Sequence, residues 1–176
     1  MTTDAPKPAT LRRTGRSLPI ALLRARETVM GPIREMLAQS DINEQKWRVL
    51  RVLDERGPLE LTALAHEACL LLSSLTRMTK AMEQERLITR VTDPEDRRRS
   101  ITSITEQGRR LILDHADESN AIFARLEERF GRKKLDQLLD LLEELRGVDP
   151  YCVTCPATAH AWHCPSRSAP HRFPAP

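Results

Sequence analysis

The chain has 176 residues, of which 40% are apolar and 30% charged, and a formal net charge of +3, the balance of a soluble, helix-rich protein. With only 3% aromatic residues, a core must be built from Leu, Ile, Val, Ala and Met. Apolar runs such as Ala68 to Leu72 are too short to cross a bilayer, and the start of the chain lacks the apolar centre of a secretion signal, so a cytoplasmic protein is expected.

Residues 1–16 read as a flexible basic arm carrying Arg12, Arg13 and Arg16. From Ser17, the apolar residues Leu18, Leu22, Ala25, Val29, Ile33 and Met36 recur every three or four positions, marking one face of a long helix. Ser17 suits its N-cap and Pro19 its first turn, whereas Pro32 should bend or interrupt it. A second helix is expected after Asp41, running through Trp47, Leu50 and Leu53 to a stop at Gly57-Pro58. Glu60 to Ala68 forms a short third helix. Ser73-Ser74 then caps a fourth, from about Leu75 to Glu85, with Leu75, Met78 and Met82 on its inner side.

Leu87–Val91 and Ser100–Ile104 are rich in β-branched residues and read as strands. The polar stretch between them, with Asp93-Pro94 and then Arg97, Arg98 and Arg99, makes a hairpin with a basic tip. Thr105 should cap a further long helix reaching Arg129, and a last helix runs from Lys133 to Leu145 after Gly131. The expected fold is mainly α with a small β-hairpin wing: a winged helix-turn-helix domain (41–104) framed by N-terminal (17–40) and C-terminal (105–148) dimerisation helices. Residues 149–176 form a separate tail.

Charge is distributed unevenly, basic around Arg97–Arg99 and acidic along the last helix at Asp136, Asp140, Glu143 and Glu144, so a directional binding surface is expected. A helix that reads the major groove must expose short polar and basic side chains. Ser73, Ser74, Thr76, Arg77, Thr79 and Lys80 supply that set, and the first two lie where free helix amides favour a phosphate. On its own, such a helix face can equally be solvated surface. The basic hairpin makes the combination more specific, since Arg97 and Arg99 suit the adjacent minor groove. Asp96 and Arg98 are expected to pair, which makes Arg98 structural.

Leu64-Ala65, Ser74-x-Thr76-Arg77, Met82-Glu83, Leu87-Ile88-x-Arg90, Asp96-Arg97-Arg98 and Ile104-Thr105-x-x-Gly108 together resemble the MarR family of bacterial regulators. Ser73 departs from it, standing where many relatives carry Pro. Ala21-Leu22-Leu23-x-Ala25-Arg26-Glu27 and Asn43-Glu44-Gln45-x-Trp47-Arg48 resemble its HpaR-like branch, which is also similar to regulators of the BpsR and NicR kind. The resemblance spans about Ser17 to Val148. It implies a homodimer on a palindromic double-stranded DNA operator, repressing an operon for aromatic or N-heteroaromatic acid breakdown. Release would be by a small aromatic acid resembling hydroxyphenylacetate or 6-hydroxynicotinate.

The apolar faces of the first and last helices fit such a dimer, whose two recognition helices must reach half-sites about 34 Å apart; intrachain packing is the plainer alternative. Arg26 lies on the apolar flank of the first helix and needs a partner, either Glu27 or a ligand carboxylate held bidentately. Trp47, Arg48, Arg51 and His66 are further candidates for the same ligand site.

Within the tail, Cys152, Cys155, His163 and Cys164 are ligand types that can close a tetrahedral zinc site, although its proline-rich, aliphatic-poor composition reads as disorder. Neither cofactor nor catalysis is expected, since no phosphate loop, nucleophile elbow or zinc-protease helix is present. Cys69 is expected in the core. Two other functions remain open: a metal- or oxidant-responsive regulator signalling through the Cys/His tail, and a winged helix used for protein contacts.

Overall fold

The computed structural model describes residues 14–92 and 100–148. After a 3-10 turn at Thr14–Arg16 come α1 (Leu18–Ala38), α2 (Glu44–Arg56), β1 (Leu59–Glu60), α3 (Leu61–Glu67) and α4 (Leu72–Gln84). Strands β2 (Ile88–Thr92) and β3 (Ser100–Ile104) follow, then α5 (Glu106–Asp114), α6 (Ala116–Phe130) and α7 (Arg132–Gly147). The three strands form one antiparallel sheet in the order β1-β3-β2, with Leu59 opposite Thr102 and Ile88 opposite Ile104. The fold is a winged helix. Two compact units divide between Ala124 and Arg125, inside α6.

The first unit's core is aliphatic, as the scarcity of aromatic residues requires. Val49, Leu50 and Leu53 of α2, Leu64 of α3, Leu75 and Met82 of α4, and Ile88 of β2 are all buried in it. Asn43 begins α2 by accepting a hydrogen bond from the Lys46 amide, and Gly57 ends it at φ +78°. Three other helices end on a left-handed residue that is not glycine: Asp41 after α1, Cys69 after α3 and Arg86 after α4. In each case the next amide reaches back to a carbonyl five residues earlier, as in Leu70 N–H to Ala65 O and Leu87 N–H to Met82 O. This closes the helix end and seats the following apolar residue against the last turn.

Several boundaries differ from expectation. Helix α1 runs unbroken through Pro32, and Ser17 occupies its N-cap without a side-chain cap bond. Helix α4 starts three residues early, at Leu72, with Leu71 as N-cap, so Ser73 and Ser74 lie inside its first turn and do not cap it. The long helix expected from Thr105 to Arg129 is two helices broken at His115. His115 is buried; its Nδ1 is 3.0 Å from Leu111 O, its Nε2 3.0 Å from Ser40 Oγ, and its ring packs on Trp47 at 5.8 Å between centroids. Cys69 is exposed rather than in the core, because the left-handed turn after α3 carries it outward.

The β3–α5 corner is the tightest approach in the fold. Thr105 caps α5 by accepting from the Gly108 amide, while its own hydroxyl donates to Arg86 O at 2.6 Å. Gly108 is buried, and a Cβ there would stand 2.4 Å from Leu87 O and 2.8 Å from Ile104 Cγ1. Backbone on one side and core on the other leave it no room. Gly108→Ala should therefore lower unfolding stability by about 1–3 kcal/mol, the range for overpacking a tight site. Urea denaturation at matched protein concentration measures this, with Gly31→Ala, which meets nothing within 4 Å, as the tolerant control.

Candidate nucleic-acid interface and effector cleft

Helix α4 buries Leu75, Thr79 and Met82. Its outward stripe is Ser73, Arg77 and Lys80, all exposed, with Ser74 and Thr76 half-buried at its margins. The Thr76 hydroxyl donates to Leu72 O at 2.7 Å. Thr79, expected among the DNA contacts, is fully buried, and its hydroxyl donates to Thr76 O at 3.2 Å. It lies on the core side of α4 and is removed from the contact set.

Two ion pairs hold this helix in place. Arg90 of β2 directs Nε and Nη2 to one Glu83 oxygen at 3.0 and 2.9 Å, tying the wing strand to α4. Lys46 of α2 reaches both oxygens of Glu85, just past the end of α4, at 2.7 and 2.8 Å. The wing residues Asp96, Arg97, Arg98 and Arg99 lie outside the described residues, so the Asp96–Arg98 pair is not seen.

A second feature is a cleft of about 670 Å³ between α1, the start of α2 and the turn after α3. Arg26, Arg34, Glu44, Arg48 and Cys69 line it. Glu44 is the hub. It accepts from Arg26, from Arg34 at 3.3 Å and from Arg48 at 2.7 Å, while Glu27 bridges Arg26 at 3.1 Å and Arg34. Arg48 also donates to Ala68 O at 3.0 Å, joining α2 to the end of α3. Three guanidiniums face two carboxylates, which leaves the cleft net positive.

Of the ligand candidates, Arg26 and Arg48 are brought together there. Trp47 is buried against His115, Arg51 is exposed and paired with Glu55 at 2.6 Å, and exposed His66 lies 3.6 Å from Glu67; none of the three lines the cleft. Within the chain, Arg26 pairs with Glu27, one of its two expected partners, and with Glu44, which was not among them. Glu44 and Arg34 escaped the sequence reading, although the four-residue spacing of Glu44 and Arg48 is a readable helix-pair signal. Cys152, Cys155, His163 and Cys164 lie outside the described residues. Among the described residues, no three His, Cys, Asp or Glu side chains group as a metal site, and no helix is long and apolar enough to cross a membrane.

Burial pushes the Glu44 carboxyl up, but hydrogen bonds and charge from Arg26, with further support from Arg34 and Arg48, outweigh it and hold the group below the usual carboxylate range. A group with a lowered folded pKa contributes stability that is complete above its unfolded value, about 4.3, and is lost as pH falls through the lowered one. Glu44→Gln should therefore lose about 1 kcal/mol at pH 7 and show a flatter fall in stability between about pH 5 and 3 than the parent. Parallel urea midpoints across that range read the difference.

Residues 42–100 match the MarR family. The chain is 36% identical over 133 residues to the HTH-type transcriptional regulator FarR of Neisseria gonorrhoeae, covering 76% of this chain and 91% of that protein. The chain belongs to the MarR family. It is also 35% identical to the homoprotocatechuate degradative operon repressor of Escherichia coli over 128 residues, 73% of this chain and 86% of that one. Among solved structures, NadR in complex with 4-hydroxyphenylacetate superposes with a TM-score of 0.69 at 34% identity, covering 81% of this chain and all of the other. The transcriptional repressor CouR, solved bound to a 23-mer DNA duplex, superposes with a TM-score of 0.66 at 28% identity, covering 78% of this chain and 99% of that one.

Proposed function

We propose that this chain is a transcriptional repressor, working in the cytoplasm as a homodimer on a palindromic operator and released by a small aromatic or N-heteroaromatic acid. It is a binding protein and not an enzyme. The observation that carries the reading is the exposed Ser73–Arg77–Lys80 stripe on a helix tied to the wing through Glu83 and Arg90. Arg77 and Lys80 contact guanine edges or phosphates, Ser73, Ser74 and Thr76 hydrogen-bond beside them, and Arg97 and Arg99 enter the minor groove. Similarity to an operon repressor and to a structure holding 4-hydroxyphenylacetate supports the repressor role and the class of effector.

The effector's carboxylate takes Arg26 and Arg48 in the net-positive cleft, where a bidentate guanidinium contact is available to an incoming anion.

Gel shift on the duplex upstream of the gene tests the DNA contacts. Arg77→Ala and Lys80→Ala should each weaken binding about tenfold and lower the slope of log affinity against log salt by about 1 where a phosphate contact is lost. Unchanged affinity and slope in both would remove α4 as the reading helix.

Arg26→Ala tests the cleft. Duplex binding should stay within about twofold of the parent, while the hydroxyphenylacetate or hydroxynicotinate that releases the parent should need at least a tenfold higher concentration, the cost of about one charge-assisted hydrogen bond. Normal release by the variant would sink the assignment of Arg26.

A further inference from the structure

Every terminal guanidinium nitrogen around Glu44 is already engaged. Arg26 directs Nη1 to Glu27 and Nη2 to Glu44, and Arg34 directs Nη1 to Glu44 and Nη2 to Glu27. Arg48 divides its two between Glu44 and Ala68 O. A carboxylate that takes the Nη1–Nη2 fork of Arg26, and with it Arg48, does so by displacing an acceptor already there. The two residents differ. The Glu27 side chain is 59% exposed and joins two residues of its own helix. That of Glu44 is 11% exposed and reaches all three arginines from the first position of α2. Water and salt therefore weaken the pairs of Glu27 more than those of Glu44.

We propose that Glu44 is a built-in competitor of the effector, whose carboxylate occupies the place of the ligand's and so sets the concentration at which the cleft fills. This role presupposes the effector cleft proposed above and concerns what holds its arginines before the effector arrives. An incoming carboxylate replaces one charged acceptor by another, so only the difference between the two appears as affinity. The apolar part of the lining, Ala38, Ile42 and Leu70, is free of such competition, and burial of an aromatic ring against it supplies that difference. Glu44 thereby keeps the cleft from answering to any small carboxylate, since one without a ring exchanges acceptors and gains nothing further.

Equilibrium dialysis of the full chain without DNA measures binding of 4-hydroxyphenylacetate and of 6-hydroxynicotinate. Glu44→Gln keeps the shape and removes the charge. It should bind the acid about tenfold more tightly than the parent, the effect of one charge-assisted hydrogen bond no longer displaced. Glu27→Gln removes the same charge from two of the same arginines and should gain only about twofold. In an Arg26→Ala background, Glu44→Gln should gain less than about threefold, because the contested fork is gone. Glu44→Ala repeats the first measurement with no acceptor at all and should gain at least as much, cooperative thermal unfolding showing that each variant is folded. Unchanged or weaker binding in both Glu44 variants would overturn the proposal. So would an equal gain in Glu27→Gln, which makes net charge the cause, or an undiminished gain without Arg26, which makes it packing. Each of these leaves the effector cleft standing if Arg26→Ala still loses the acid. Failure of both acids to bind parent and Glu44→Gln alike would instead overturn the effector cleft, and this inference with it.

Discussion

The DNA-reading head depends on one hydroxyl. Thr105 donates to Arg86 O, accepts from the Gly108 amide, and sends its own amide to Leu87 O at 3.1 Å. The bonds to Arg86 O and Leu87 O pin the corner where the wing becomes α5 to the corner where α4 becomes β2, and the bond from Gly108 caps α5. The approach is close enough that only a residue without Cβ fits at Gly108. The Glu83–Arg90 pair then ties α4 to the first wing strand. In the proposed reading, a major-groove helix and a minor-groove wing are useful only at a set separation, and this corner fixes the start of the wing strands against the end of α4 by backbone contact.

The guanidinium cluster at the start of α2 has a different character. Its pairs are partly open to water, so each contributes little to stability by itself. Their arrangement matters more, because Glu44 serves Arg26, Arg34 and Arg48 at once, and Glu27 only the first two. An anion entering the cleft must compete with that carboxylate for the same donors. Arg48 extends the network to the Ala68 carbonyl at the end of α3. The same carboxylate thus links α1 to α2 and, through Arg48, to the end of α3.

Much of this organisation is legible in the sequence. Period-3.6 apolar patterns locate α1, α2 and α7, and β-branched runs locate both wing strands. The failures have physical reasons. β1 is two residues long, too short for any periodicity. The α5–α6 break carries no Gly or Pro; it falls at His115, whose contacts with Ser40 and Trp47 are tertiary. Left-handed helix ends at Asp41, Cys69 and Arg86 lack the glycine that would announce them, which hid the exposure of Cys69. Thr79 was misplaced because a hydroxyl that bonds to its own helix can be buried like an aliphatic group. At the candidate site, residue types were readable but partnerships were not: Arg26 stood out, Glu44 did not.

The apolar residues left outside the core complete the physical picture. Helix α7 has 16 residues and buries none of them, while Leu138, Leu139, Leu141, Leu142 and Leu145 are exposed. A helix of that length is marginal in water without an apolar face to pack against something. Leu18, Leu22 and Leu23 are likewise exposed in the first half of α1, whose buried residues Ile33, Met36 and Leu37 all lie near its far end. Among the described residues, α1 is buried only toward its far end and α7 has no buried residue. In the homodimer proposed above, burying those leucines against the second copy would contribute roughly 1.5–3 kcal/mol for each one fully covered. Contacts of that kind would set the folding of the framing helices and the spacing of the two reading heads together.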